Sequence, residues 1–271
     1  VRQQVQGEGC SSIVASEAEA DTLLPMGTEV RTYFVRKKNA LLARADFGDL
    51  YAGLILHEAD HGLRNFPALE QKLRDALAAL TLHCASRPRN ETCAWTIHTP
   101  DPPTNFFVTG SNPSGLVTGT IFTKDVKQID SGIFYCQTTT GQEEPRLSVT
   151  EFEGDSLIVA AETFYTQSEQ RLTRIFRYSE EDLVMISAQP DCDLDWLRNL
   201  DRQSILTLDQ TFELALLETR NYDFGCECSQ ERIESLIGPA LLNSREKEEI
   251  GSANHVEVRC PRCGAKYEIA L

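Results

Sequence analysis

Hydrophobic and polar residues alternate through much of the stretch from Thr92 to Ala188, in short runs parted by turn-forming clusters: CAWTIHT, NFFVTG, GLVTGTIF, GIFYCQTT, RLSVTEF, RLTRIFRYS and DLVMISA. A period of two puts every second side chain on one face of a pleated strand, so each run predicts a half-buried β-strand. GSNPSG supplies the turn residues of a hairpin between two of them. SLIVAAETFYTQSEQ breaks the rhythm and reads as a helix. Upstream, DLYAGLILHEADHG spaces Leu50, Leu54, His57 and His61 along one helical face and stops at Gly62. PALEQKLRDALAALTLHCA opens on Pro67 and carries Leu69, Leu73, Leu77 and Leu80 down one side, a second helix. EVRTYFVRKKNALLARAD is too mixed to assign, so two helices are expected ahead of the sheet. Short connections favour antiparallel pairing, and the fold class is α+β.

The pattern changes at both ends of this block. Residues 1–30 are small and acidic without a sustained period and read as a disordered tail. Residues 31–188 form the α+β core domain. Residues 189–222 scatter Trp196, Leu197, Leu200, Ile205, Leu206, Leu208, Phe212 and Leu216 among acidic side chains. That segment is amphipathic but too poor in apolar residues to hold a core of its own, so it is expected to lie as a linker on the neighbouring domain. Residues 223–271 form a small C-terminal domain.

Composition narrows the partners. Lys and Arg number 26 against 41 Asp and Glu, a net charge of -15, so the surface repels phosphate backbones and anionic lipid. No nucleic acid and no membrane partner is expected. The first thirty residues hold no basic stretch followed by an apolar core, and no apolar run approaches a membrane span. A cytoplasmic protein is the expectation. Nine unevenly spaced cysteines in such a chain point to metal or redox chemistry rather than a disulfide scaffold.

Four of the nine cluster near the C-terminus: Cys226 and Cys228 in GCECS, Cys260 and Cys263 in RCPRCGAKY. Four thiolates at tetrahedral corners make a closed structural zinc site. In RCPRCG, Pro261 fixes the turn and Gly264 accepts the backbone angles that aim amides at the sulfurs. HVEVRC and CGAKYEIA alternate as two strands of a hairpin, with Val256 and Val258 opposite Tyr267 and Ile269. Between the cysteine pairs, Ser229 is the expected N-cap of a helix carrying Ile233, Leu236 and Ile237 on one side. The ligand spacings do not match the common ferredoxin runs, which favours zinc over an iron–sulfur cluster. A module this poor in apolar residues depends on its metal for folding, on the order of 10 kcal/mol. The spacing within each pair also allows Cys226, Cys228, Cys260 and Cys263 to form redox-active disulfides once the metal is gone. Arg259, Arg262 and Lys266 add positive charge that favours attack by an anionic oxidant.

A C-terminal C-x-C, a long insert and then C-x-x-C with a following aromatic resembles the signature of the heat-shock protein 33 family. FYTQSEQRLTRIF, with Ser168, Glu169 and Gln170, resembles that family's helix-to-strand segment. The resemblance implies an N-terminal α+β domain, a metastable linker and a zinc-binding redox-switch domain. It implies a stress-response chaperone with no enzymatic activity. Such a chaperone binds unfolded client proteins without ATP once oxidation has released the zinc, and it can be a homodimer when oxidised. Trp196, Leu200 and Phe212 are then the candidate client-binding residues of the linker. Cys10, Cys84, Cys93, Cys136 and Cys192 match no ligand position and read as inert thiols.

Two other signals compete. HEADH, His57 to His61, satisfies H-E-x-x-H, the pattern of a zinc peptidase in which Glu58 would be the base. The extended form fails, because Pro67 stands where a third histidine would fall. The two histidines continue the Leu50 and Leu54 stripe, so packing is the simpler account. A zinc-ribbon interaction module is the remaining alternative, but acidic residues outnumber basic ones in 223–271, which argues against phosphate contacts.

Overall fold

A computed structural model of the chain describes residues 27–243 and 255–270. Its first element is not a helix. Strand β1 (Thr28–Val35) and strand β2 (Ala40–Asp46) pair as an antiparallel hairpin ahead of helix α1 (Gly48–Asp60). The expected order, two helices before any strand, is therefore corrected, and the sheet begins within the last residues assigned to the tail. The cause lies in β2. Ala43 and Ala45 face one apolar cluster while Ala40 and Leu42 face a second, and a strand covered on both faces loses its period of two.

Helix α2 (Pro67–Ala85) follows, with Pro67 in its first turn and every residue from Ala76 to Ala85 buried. Five strands come next: β3 (Glu91–Pro100), β4 (Pro103–Ser111), β5 (Leu116–Phe122), β6 (Gly132–Thr140) and β7 (Arg146–Phe152). Helix α3 (Leu157–Gln167) is capped by Ser156, whose hydroxyl accepts from the Val159 amide. Strands β8 (Thr173–Arg177) and β9 (Asp182–Ala188) complete the alternating block. Each strand read from the alternation is present, and the GSNPSG turn joins β4 to β5 as a hairpin.

Residues 189–222 divide in two. The first part forms three short helices, α4 (Leu194–Asn199), α5 (Arg202–Leu206) and α6 (Leu208–Thr211). The second part enters strand β10 (Leu214–Phe224), which lies inside the sheet. The strand order is β7-β6-β3-β4-β5-β10-β1-β2-β9-β8. Beyond β10 come helix α7 (Gln230–Asn243) and a separate hairpin of β11 (His255–Arg259) and β12 (Lys266–Ala270).

Two apolar clusters lie on opposite faces of the sheet. The larger joins α1, α2 and α3 to the strands, with Trp95, Phe106, Phe134, Phe164 and Tyr222 fully buried or nearly so. The smaller covers the other face of β1, β2, β9 and β8, where Leu197, Leu200, Ile205 and Leu208 of the short helices pack on Val35, Leu42, Phe176, Val184 and Ile186. The linker segment thus seals half of the sheet. The β1–β2 turn grips it: Lys38 Nζ lies 2.7 Å from Asp193 Oδ2 and sits over the rings of Trp196 and Phe212. Those two rings meet edge to face, and the Arg36 amide donates to the Glu213 carbonyl.

Candidate metal centre

The four C-terminal cysteines converge from two directions. β10 delivers Cys226 and Cys228 along the open edge of β5, where the Gly225 amide donates to the Val117 carbonyl at 2.9 Å. The β11–β12 hairpin presents Cys260 and Cys263 at its tip, with Val256 opposite Ile269 and Val258 opposite Tyr267 as the alternation predicts. Gly264 sits there at φ +78, and a Cβ on it would lie 2.6 Å from Thr120 Oγ1 of β5. Only glycine lets the tip turn and approach the sheet this closely. Ser229 caps α7, accepting from the Arg232 amide at 3.2 Å. Ile233 is buried in the small cluster with Ala265 and Ile269. Leu236, expected beside it, is 71% exposed, and the side chain of Ile237 lies outside the described residues.

All four sulfurs lie within 4.8 Å of one another. Cys226 and Cys260 are 3.9 Å apart, Cys228 and Cys263 3.4 Å. A tetrahedral ion with sulfurs at about 2.3 Å requires sulfur pairs roughly 3.8 Å apart, so the set fits a four-thiolate metal site. Such a cluster can bind a metal ion. Charge sharing points the same way. Hydrogen bonds from Cys226 and Cys263, and from the Arg262 and Cys263 amides, hold Cys260 well below an ordinary thiol. Cys226 is pushed up to about 12, first by its contact with Cys260, and Cys263 is pushed up by Cys226 and Cys260. Crowded sulfurs resist sharing negative charge unless a cation neutralises it.

Two neighbours escaped the sequence reading. The Tyr267 hydroxyl lies 3.2 Å from Cys228 Sγ and 3.3 Å from the Cys228 carbonyl, a donor in reach of a ligand sulfur. His57 Nε2 donates to the Cys263 carbonyl at 3.1 Å. The H-E-x-x-H histidines therefore face the cysteine module. The His57 ring lies 5.4 Å from that of Phe224 and the His61 ring 5.9 Å from that of Tyr267, both pairs tilted. Glu58 accepts instead from Asn65 Nδ2, and among the described residues no third metal ligand joins the two histidines.

Three of the remaining cysteines sit together in the core: Cys84 contacts Cys93, and the Cys93 and Cys136 sulfurs each lie 3.8 Å from Thr138 Oγ1. Cys84, Cys93 and Cys136 are buried in the larger cluster, where burial pushes the Cys136 thiol up to about 12. Cys192 is half-buried against the linker helices, and Cys10 lies outside the described residues.

Residues 185–270 match the family model described as Hsp33 protein. The 33 kDa chaperonin of Nitrosococcus oceani is 27% identical over 159 residues, 51% of this chain and 54% of that protein. Over residues 185–270 the chain is similar to the Hsp33 family. The 33 kDa chaperonin of Edwardsiella ictaluri is 26% identical over 164 residues, 51% of this chain and 56% of its own, so the chain spans about half the length of these Hsp33 relatives in the aligned region. The crystal structure of the 33 kDa chaperonin from Thermotoga maritima superposes with a TM-score of 0.67 at 12% identity, covering 90% of this chain and 94% of that one. At that identity the likeness concerns the fold, which is shared almost end to end. The Hsp33 match spans the linker helices, β10 and the cysteine module together. No helix among the described residues is long and apolar enough to cross a membrane.

Proposed function

We propose that this chain is a redox-regulated, ATP-independent holdase whose latent form holds zinc at Cys226, Cys228, Cys260 and Cys263. The observation that carries the reading is the position of the four sulfurs, within 4.8 Å of one another in a module with only a small apolar cluster of its own. Zinc suits an all-thiolate tetrahedral donor set, and in small domains it supplies folding energy directly. Conversion of these thiolates to disulfides removes the ligands, and the module then lacks the contacts to stay folded.

In this reading, residues 189–213 are the releasable linker. Their helices are short and held by Leu197, Leu200, Ile205 and Leu208. Lifting them uncovers Val35, Leu42, Phe176, Val184 and Ile186 on the sheet, as well as Trp196, Leu200 and Phe212 on the linker itself. Both surfaces suit the exposed apolar segments of unfolding client proteins, and the acidic surround keeps the opened chain soluble. Cytoplasmic residence under oxidative or heat stress fits reduced, metal-bound thiols as the resting state.

The test compares reduced, zinc-loaded protein with peroxide-treated protein in suppressing aggregation of a thermally unfolding client. Reduced protein should be inactive and oxidised protein active, with activity reversed by thiol reductant and zinc. Equal suppression by both forms overturns the switch, and suppression by neither overturns the chaperone reading.

A further inference from the structure

We propose that His57 and His61 form a second zinc site, closed while the cysteine module is docked and open once it leaves. The inference rests on the redox-switch reading above and extends it to the fate of the released ion. His57 lies in the last turn of α1 and His61 is its C-cap residue, its amide donating to the His57 carbonyl at 3.2 Å, and the two rings lie tilted to one another with centroids 4.7 Å apart. Two imidazoles bound to one zinc through nitrogens at about 2.0–2.1 Å, at a tetrahedral angle, place their ring centres roughly 5 Å apart. The pair needs little movement to chelate.

In the docked state the pair is occupied otherwise. The His57 Nε2 hydrogen is given to the Cys263 carbonyl, so that nitrogen has no lone pair to offer. Phe224 and Tyr267 lie against the two rings. The same hydrogen bond places the histidines beside the cysteine cluster. When the module departs, Nε2 loses its acceptor, the Tyr267 ring leaves His61, and both imidazoles open to solvent water that completes a four-coordinate ion.

The chemistry balances with a hydroperoxide as oxidant. Two molecules of hydrogen peroxide convert the four thiolates into two disulfides. Each O–O bond breaks as two sulfurs lose one electron apiece, and four protons from solvent yield four waters in all. Zn²⁺ is left without its anionic ligands, next to two neutral nitrogen donors. A site of two imidazoles holds the ion more weakly than four thiolates and returns it when the thiols are reduced. It therefore acts as a parking site that spares the cell a free ion and shortens re-metallation.

The test bypasses oxidation. In full-length protein carrying Cys226→Ser, Cys228→Ser, Cys260→Ser and Cys263→Ser, calorimetric titration with Zn²⁺ should show one site. Adding His61→Ala should weaken it by at least about tenfold, since even outer-shell partners of a metal are worth 10–100-fold. Co²⁺ should selectively shift or broaden two of the five histidine ring resonances, and His61→Ala should abolish the effect on the partner ring. Equal zinc affinity with and without His61, or Co²⁺ perturbing other histidines, overturns the proposal. A protein that keeps its thiols reduced under peroxide would sink the switch reading instead, and this titration is unaffected by that result.

Discussion

Replacing Leu197 by alanine should activate the protein without oxidant. Leu197 is fully buried in α4, against the second apolar cluster. Helices α4, α5 and α6 contain 6, 5 and 4 residues, far below the ~12–15 at which an isolated helix becomes even marginal. Their structure therefore exists only while docked, and docking energy is what the substitution removes. Leu→Ala in a packed core costs about 2.7–5 kcal/mol. If the loss falls on local docking, the undocked population rises roughly a hundredfold at the low end of that range, at 1.4 kcal/mol per decade. Hydrogen exchange measures this directly. The Leu197, Ile205 and Phe212 amides, bonded to Asp193, Asp201 and Leu208 carbonyls, should exchange about a hundredfold faster, while amides in β3 and β6 stay protected. The reduced variant should keep its zinc and suppress client aggregation. Equal acceleration of linker and core amides would show that the linker is no separate unit. Accelerated linker exchange in a zinc-loaded but inactive protein would refute linker release as the activating event.

Cys228→Ser should abolish the tightly held, chelator-resistant zinc of reduced protein, measured by elemental analysis after chelator treatment, and Tyr267→Phe should weaken it by about 10–100-fold in chelator competition, because the hydroxyl near Cys228 Sγ is lost. Glu58→Gln should leave zinc content and aggregation suppression unchanged, since its carboxylate engages Asn65 rather than the cysteine module; a chelator-sensitive peptidase activity lost in this variant would contradict that. The hydrogen bond from Lys38 holds the Asp193 carboxyl below its ordinary value of 3.8. A depressed folded-state pKa gives a stabilisation that is complete above the ordinary value and lost as pH falls through the depressed one. Linker docking, read from Trp196 fluorescence against the fully buried Trp95, should hold from neutrality to pH 3.8 and loosen below it. Asp193→Asn should remove that acid response and loosen docking at neutral pH.

Legibility in the sequence followed how local the determining physics was. Strands β3 to β9 could be read because turn clusters part them and most have one face set apart from the other. The cysteine pairs could be read because ligand spacing and the knuckle turn are encoded within a few residues. β10 could not. Its middle is seated by polar contacts: Arg220 donates to the Cys84 and Arg87 carbonyls, and the Tyr222 hydroxyl donates to Asn112. Leu216 and Leu217 are each 57% exposed. Hydropathy sees an amphipathic segment there and places it in the linker. The role of His57 was equally hidden, because its partner carbonyl is 206 positions away in the chain.

The placement of β10 also restricts how a change at the cysteines can reach the linker. Among the described residues, no hydrogen bond or ion pair joins 225–270 to 189–213, so the two communicate through the strand between them. β10 is held unequally. It pairs with β1 from Tyr222 opposite Thr28 to Leu214 opposite Val35, but with β5 only at Asp223 and Phe224. That short seam lies directly before Cys226, and its neighbouring contacts belong to the cysteine module: Gly225 on Val117, Gly264 against Thr120, and Phe224 between Gly53 and His57. Unfolding of the module therefore removes support from the seam first and leaves the longer β1 ladder to resist. The linker on the far face of β1 and β2 is released only if disorder propagates along that ladder to Leu214 or if the linker's own docking is weak enough to yield to a small change at its end. The shortness of α4, α5 and α6 favours the second course, so under the proposed switch the stability of residues 189–213, rather than the strength of the metal site alone, would set the threshold for opening.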